Sequence, residues 1–287
     1  MNESLSRSTI SFVGAGAMAE ALIRGIVEQK KVAPDRVIVM NRSNRERLVE
    51  LNRKYGVRTA ADPASKAEAL RQSDIIVLAF KPKDAGTGLR EIAPHLTGRQ
   101  LIASVIAGLS IASIQGILGQ VPVVRAMPNT SSTIGLGATG MSFSKELQED
   151  AQARNMAEEL FAASGIVSLV EESMHDIVTG LSGSGPAYVY YFIEAMIQAG
   201  VEGGLSADEA RKFAVQTVLG AARMVELTGE EPSALRKKVT SPNGTTQAAL
   251  EVLDRRGFGE AVRQAVHRAA DRSREMGAEV NAALKNE

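Results

Sequence analysis

"TISFVGAGAMAEAL", residues 9–22, decides how this chain is read. A short apolar run ends in a glycine-rich turn and leads directly into a helical pattern. Gly14, Gly16 and Ala19 stand at G-x-G-x-x-A spacing. The first glycine permits the tight turn, the second lets a pyrophosphate approach the backbone, and the small third residue lets helix and strand pack closely. The helix N-terminus then faces the phosphates. A structural glycine turn has the same bare spacing. Strand, loop and helix in this order favour a dinucleotide site formed by Gly14, Ala15, Gly16, Ala17, Met18 and Ala19.

Outward from this loop, short apolar runs alternate with helical patterns. "TISFVGAG", "RVIVMNR", "DIIVLAF", "QLIASVIAG" and "VVRAMP" read as buried strands, with helices over 18–29 and 44–55. This rhythm predicts a parallel, doubly wound sheet with helices on both faces. "GATGMSF" and "GIVSLVEE" read as two further strands around one helix over 145–163. The second strand ends at Asn41, Arg42 and Ser43, where an NAD site usually carries Asp or Glu. No carboxylate there repels a 2′-phosphate, and Arg42 can pair with one. NADPH is therefore the expected cofactor, with NADH as the alternative. Arg42, Arg45 and Arg47 also read as a solvated charged face. "AFKPKD", with Lys81 and Pro82, and "AMPNTSS" lie where strands end, and read equally as turns or as ligand contacts.

Strand signals stop after Glu172, which places the domain boundary near 171: residues 1–171 as a Rossmann-like NADP-binding domain, 172–287 as an all-helical domain. Apolar or small residues at 210, 213, 214, 217, 218, 221 and 225 form a helical stripe. The run 186–200 is apolar nearly all round and is either a central core helix or a helix shared between subunits. "GLSGSGPAY" reads as a close backbone approach to a ligand or as a flexible link, with Pro186 at a helix start. Helices are expected over 246–254 and 259–276, followed by a frayed tail.

Composition excludes several functions. Lys+Arg and Asp+Glu both number 33, so no global field draws nucleic acid or anionic membrane. There are no cysteines, which removes disulfides, thiolate nucleophiles and Cys-held metals. His95, His175 and His267 have no metal-ligand spacing, so no metal is expected, and each reads as a surface or helix-end residue. The start lacks the apolar core of a signal peptide, and a cytoplasmic protein is the expectation.

"VGAGAMAEALIRG", "DIIVLAFKP", "RAMPNT", "TGLSGSGPAY" and "LRKKVTSPNGTTQAALEVLD" occur in this order. Together they resemble pyrroline-5-carboxylate reductase, from Ile10 to about Met276, and the block from Leu235 to Asp254 is the most specific. The resemblance implies reduction of the cyclic imine 1-pyrroline-5-carboxylate to L-proline with NAD(P)H, the last step of proline biosynthesis. It implies an intertwined homodimer built by the helical domain, with larger rings of dimers in some members. By position it assigns the substrate loop to Ser241, Gly244, Thr245 and Thr246, and an acidic residue near the imino acid to Glu172. Asn41, Arg42, Ala79, Lys81 and Ala107 fall at cofactor-contacting positions. Lys66 stands where many members have a cofactor-contacting Asn. Asn243 replaces a commoner glycine, and Asn tolerates left-handed backbone angles.

The chemistry of that loop follows from its residues. A turn, "SPNG", before a helix starting at Thr245 or Thr246 exposes unpaired N–H groups that suit a carboxylate. The Thr246 hydroxyl can then hydrogen-bond an imine nitrogen. Plain helix capping by the two threonines is the competing structural reading. A β-hydroxyacid dehydrogenase shares the domain plan, and Gly180, Gly183 and Gly185 fit its G-x-x-G-x-G-x-x-x-K pattern. Val189 stands at the position of its catalytic lysine, however. A non-catalytic NADP-binding regulator is the reading outside enzymes, and the Ser241 and Thr245–Thr246 loop argues against it.

Overall fold

The apolar runs of the first half become strands of one sheet. The computed structural model describes Ser4–Asn286. Its strands are β1 (Ile10–Val13), β2 (Val37–Met40), β3 (Arg58–Ala60), β4 (Ile75–Leu78), β5 (Leu101–Ser104), β6 (Val123–Met127), β7 (Gly137–Phe143) and β8 (Gly165–Leu169). They lie in the order β3-β2-β1-β4-β5-β6-β7-β8. Four-residue runs such as Val37–Met40 and Ile75–Leu78 are buried at every position because helices cover both faces. The helices of this part are α1 (Ser4–Arg7), α2 (Ala17–Glu28), α3 (Arg45–Tyr55), α4 (Pro63–Gln72), α5 (Ala85–Ile92), α6 (Ile111–Leu118), α7 (Lys145–Glu149), α8 (Ala151–Ala162) and α9 (His175–Val178). One core cluster includes Phe12, Leu22, Ile26 and Phe161, and the other Ile38, Ile76, Leu89 and Ile114.

β1 to β6 pair in parallel, as the alternating pattern predicts. β7 departs from that expectation and runs antiparallel to β6, with Val124 opposite Phe143. The connection between them is a short turn containing Thr130–Ile134, with no helix long enough to carry the chain back across the sheet. β8 again runs parallel to β7, after the crossover through α7 and α8. The single helix expected over 145–163 is broken at Asp150, whose side chain accepts from Ala153 N–H and starts α8. β3 carries little sequence signal: it has three residues, two of them exposed.

The chain divides into two compact units, residues up to Gly183 together with those from Arg268 onward, and Ser184–His267. The second unit is helical: α10 (Gly185–Glu202), α11 (Ala207–Thr228), α12 (Pro232–Lys238), α13 (Thr245–Arg255) and the first part of α14 (Phe258–Asn286). Ser206 and Glu209 form a capping box at the head of α11. Among the described residues no helix is long and apolar enough to cross a membrane.

The frayed tail expected after Met276 is not found, since α14 continues to Asn286. Ala270, Ser273 and Gly277 are buried, and Val280 and Leu284 pack on the second core cluster, a 3–4 spacing that keeps one helix face inward. The Asn281 amide secures it: Nδ2 donates to Gly108 O at 2.9 Å, and Oδ1 accepts from Ser113 Oγ at 2.6 Å.

His175, expected at the surface or a helix end, does head α9 but is buried. Its Nε2 lies 2.9 Å from Ser142 Oγ, whose own proton goes to Val170 O. Burial, with the nearby Arg125 charge, pushes its pKa down to about 4 from an ordinary 6.5. Between these values the unfolded chain binds a proton that the native protein refuses. Stability is therefore complete above about pH 6.5 and falls as pH drops towards 4, by roughly 2–4 kcal/mol. Melting temperatures across this range should drop more steeply for the wild type than for His175→Gln. Parallel curves would remove His175 from the acid response.

Candidate functional site

The loops at the C-terminal ends of β1, β2, β4 and β5 lie side by side, because the register pairs Val13 with Met40 and Leu78, and Leu78 with Ser104. β1 sits where strand order reverses, with β2 on one side and β4 on the other. In such folds the crevice above that point receives the ligand.

The geometry of the glycine loop matches its sequence. Gly14 has φ +114°, and a Cβ there would lie 2.4 Å from Ala79 O. No other residue fits without moving the β4 loop. Gly14 N–H donates to Met40 O, which ties the turn to β2. Gly16 is exposed and extended, and a Cβ on it would meet nothing within 4 Å. No side chain caps α2. Ala19 is buried, with Leu22, Ile23 and Ile26 on the same face, so the helix packs closely on the sheet. An open approach to an uncapped helix start of 12 residues fits a dinucleotide pyrophosphate.

Around this loop lie the other residues expected from the sequence to contact the cofactor. Asn41 is half-buried, and Arg42 and Ser43 are exposed. The Arg42 side chain is 72% exposed, with Asp84 Oδ1 3.4 Å away, so most of its charge remains open to a ligand. Ala79 donates its N–H to Val13 O. Lys81 is exposed at the head of the turn Pro82–Asp84. Ala107 lies after β5, next to Gly108, whose backbone is held by Asn281. Lys66 is half-buried in the first turn of α4.

The loop expected to bind the substrate lies in the second unit. α13 starts at Thr245, with Gly244 as N-cap and no side-chain cap. Thr245 and Thr246 occupy the first turn without capping it, so the capping role is not the one these hydroxyls take. Asn243 has φ +57°, the left-handed geometry this turn requires, and its N–H donates to Gln247 Oε1 at 2.9 Å. A Cβ on Gly244 would fall 2.5 Å from Ser241 Oγ, so only glycine leaves that hydroxyl where it is. The result is a hydroxyl, a tight turn and the unpaired amides of a helix start in one place.

Glu172 is already engaged. Its Oε1 accepts from Ile111 N–H at 2.8 Å and from Arg125 Nη1 at 3.0 Å, and so holds the start of α6 against β6. "GLSGSG" forms a π-turn over 179–183 that leads into α10, with Pro186 in its first turn. Asn129 of "AMPNTSS" donates to Ser182 O at 3.1 Å, and Met127 fills the space beside Gly183. Both motifs thus meet each other. Arg125 and Asn129 stand in "RAMPNT", but their partners, 47 and 53 positions away, could not be read from that spacing, and Asn281 carried no signal, its partner Gly108 lying 173 positions away.

α10 and α11 present large apolar side chains to the outside of the single chain. Tyr191 is 76% exposed and Phe213 65%, while α11 buries only Ala210 and Ala214. Phe192 stacks obliquely on Phe258 at 6.0 Å between ring centres.

Residues 172–276 match the family described as pyrroline-5-carboxylate reductase dimerisation, and residues 9–108 match NADP oxidoreductase coenzyme F420-dependent. Pyrroline-5-carboxylate reductase 1 of Bacillus spizizenii is 45% identical over 93% of this chain and 89% of its own length. A solved pyrroline-5-carboxylate reductase from Coxiella burnetii superposes with TM-score 0.86 at 35% identity, covering 94% of this chain and 98% of that one. The NADP-bound pyrroline carboxylate reductase of Plasmodium falciparum gives 0.84 at 30% identity, covering 95% and 99%.

Proposed function

This chain belongs to the pyrroline-5-carboxylate reductase family, and on that premise we propose that it reduces 1-pyrroline-5-carboxylate to L-proline, the closing step of proline biosynthesis. The observation that carries this reading is 45% identity to a named reductase across 93% of the chain. NADPH is the reductant, with NADH as a weaker alternative. The enzyme is a homodimer acting on a small molecule.

The bound dinucleotide supplies a hydride to C5 of the imine. Gly14 to Ala19 would hold its pyrophosphate and Asn41, Arg42 and Ser43 its adenosine ribose and 2′-phosphate, while Ala79, Lys81, Pro82 and Ala107 would complete the cofactor contacts, Lys81 at the nicotinamide end or its ribose. The amides at Thr245 and Thr246 and the Ser241 hydroxyl hold the substrate carboxylate, and Gly244 keeps the turn tight. Anchoring the carboxylate orients the ring, which supplies most of the rate. The iminium N–H donates to Thr246 Oγ1. A protonated imine accepts hydride readily, so no strong acid is needed, and the scarcity of histidine is consistent with that. Glu172 contributes by holding Arg125 and the head of α6 near this end of the sheet. We draw the functional boundary at 171/172, supported by the start of the dimerisation match. A cytoplasmic location and a ring of dimers complete the proposal, to be checked by fractionation and light scattering.

Purified protein mixed with 1-pyrroline-5-carboxylate should consume NADPH and yield proline. No turnover with this imine would overturn the reading. Arg42→Ala should weaken NADPH binding at least about tenfold, the loss of one charge-assisted contact, and leave NADH nearly unchanged. Equal loss for both would show that Arg42 does not read the 2′-phosphate.

A further inference from the structure

A half-buried Arg47–Glu20 pair, with Tyr55 and the exposed Glu50 and Lys54 around it, stands behind the dinucleotide loop, and the glycine motif does not account for it. Arg47 lies in the first turn of α3, where the Asn44 side chain accepts its backbone N–H at 2.9 Å. Its side chain crosses to the loop, and Nε donates to Ala15 O at 3.0 Å. The other guanidinium nitrogens are taken: Nη2 pairs with Glu20 of α2, and Nη1 donates to Glu50 at 2.7 Å. Glu20 Oε1 also accepts from Tyr55 Oη at 2.8 Å and Lys54 Nζ at 2.6 Å. The side chains of Arg47 and Glu20 are only 19% and 20% exposed. Burial would raise the Glu20 pKa, but hydrogen bonds from Lys54, Arg47 and Tyr55 outweigh it and bring it down to about 2. The carboxylate therefore stays charged at any working pH, and Arg47 keeps its partner.

These contacts rule out one role for Arg47 and define another. With both carboxylates on its fork, Arg47 has no free charge to offer a phosphate. Its hold on Ala15 O acts through the peptide plane. In a trans peptide the carbonyl of one residue and the N–H of the next point in opposite directions, and no cis bond is present among the described residues. Fixing the Ala15 carbonyl on the α3 side therefore fixes the Gly16 N–H on the opposite side. Gly16 is the residue whose surroundings are open.

We propose that Arg47 is a positioning residue for the dinucleotide: it holds the Ala15–Gly16 peptide so that the Gly16 amide faces the pyrophosphate, and it fixes this loop relative to α3 and the Asn41–Ser43 segment before it. This rests on the reading that the dinucleotide binds at Gly14–Ala19. NADPH and NADH share the pyrophosphate, so both depend on Arg47 alike. Arg42, in contrast, separates the two.

The test is a fluorescence titration of NADPH and of NADH, without substrate, against wild type, Arg47→Met and the double variant Glu20→Gln/Arg47→Met. The double variant removes both charges of the half-buried pair, so neither is left without its counter-charge. Each variant should raise both Kd values by the same factor, roughly tenfold, while kcat at saturating NADPH stays within about twofold. A merely structural role would lower melting temperature and kcat and leave Kd unchanged, which would overturn the proposal. Loss for NADPH alone would also overturn it, by making Arg47 a 2′-phosphate ligand. If Arg47→Met does not fold, the double variant decides on the same criteria. A wild type that binds neither dinucleotide would refute the loop reading itself, and the proposal with it. A wild type that binds both but reduces no pyrroline-5-carboxylate would refute only the substrate assignment.

Discussion

Diluting the protein should remove its dimer and its activity together. Above the dissociation range the mass should be at least twice the chain's 30.4 kDa, or a multiple of the dimer where dimers form a ring; below it, turnover should fall to nothing. The reason lies in α10 and α11. Tyr190, Tyr191 and Phe192 are consecutive on α10, and consecutive residues diverge by about 100°, so no single packing surface within a small helical unit covers all three. None of the residues of α10 is buried in the single chain, and Phe213, Leu219, Met224 and Leu227 lie exposed on α11. Each such side chain gains roughly 1.5–3 kcal/mol when taken out of water. An isologous two-fold interface removes many of them at once, and a soluble monomer rarely leaves a patch of this kind open. The substrate loop belongs to the same helical unit, so an unsupported unit would lose its loop geometry along with its partner. Sedimentation and initial rates measured over one dilution series make the check. A folded monomer with full activity would separate the dimer from catalysis.

Thr246→Ala should lower kcat/KM for pyrroline-5-carboxylate by about tenfold to a hundredfold and leave NADPH affinity nearly unchanged. The hydroxyl sits in the first turn of α13, half-buried and without a capping role. In the proposed mechanism its oxygen accepts from the positively charged imine nitrogen. A hydrogen bond to a charged group is worth roughly 1.5–3 kcal/mol, which gives the range stated. The substitution should not disturb the helix, since the N-cap is Gly244 and the turn is fixed by Asn243 and Gln247. Steady-state kinetics beside a cofactor titration distinguish the effects. Wild-type kinetics in Thr246→Ala would remove the residue from the mechanism, and an equal loss in NADPH binding would point to a broader distortion.

Much of this was open to reading in the chain alone, where the physics is local. Gly14 must be glycine because the turn needs φ +114° and no Cβ, and the G-x-G-x-x-A spacing states that need directly. Asn243 takes the left-handed angle that its residue type allows. Apolar runs of four residues gave the buried strands, and Pro186 and Asn44 marked helix starts. These features depend on a few neighbouring residues and their torsion angles, so spacing and residue type determine them. The antiparallel turn of β7, the break at Asp150, the inward face of α14 and the double engagement of Glu172 required the folded chain. So did Arg47, which reads as one of three arginines on a solvated face and instead holds the Ala15 carbonyl from 32 positions away. A guanidinium has the same chemistry in either place. Which acceptors it reaches depends on how β1, α2 and α3 pack together, and that packing is set by side chains distant in sequence, whose contacts leave no spacing to read.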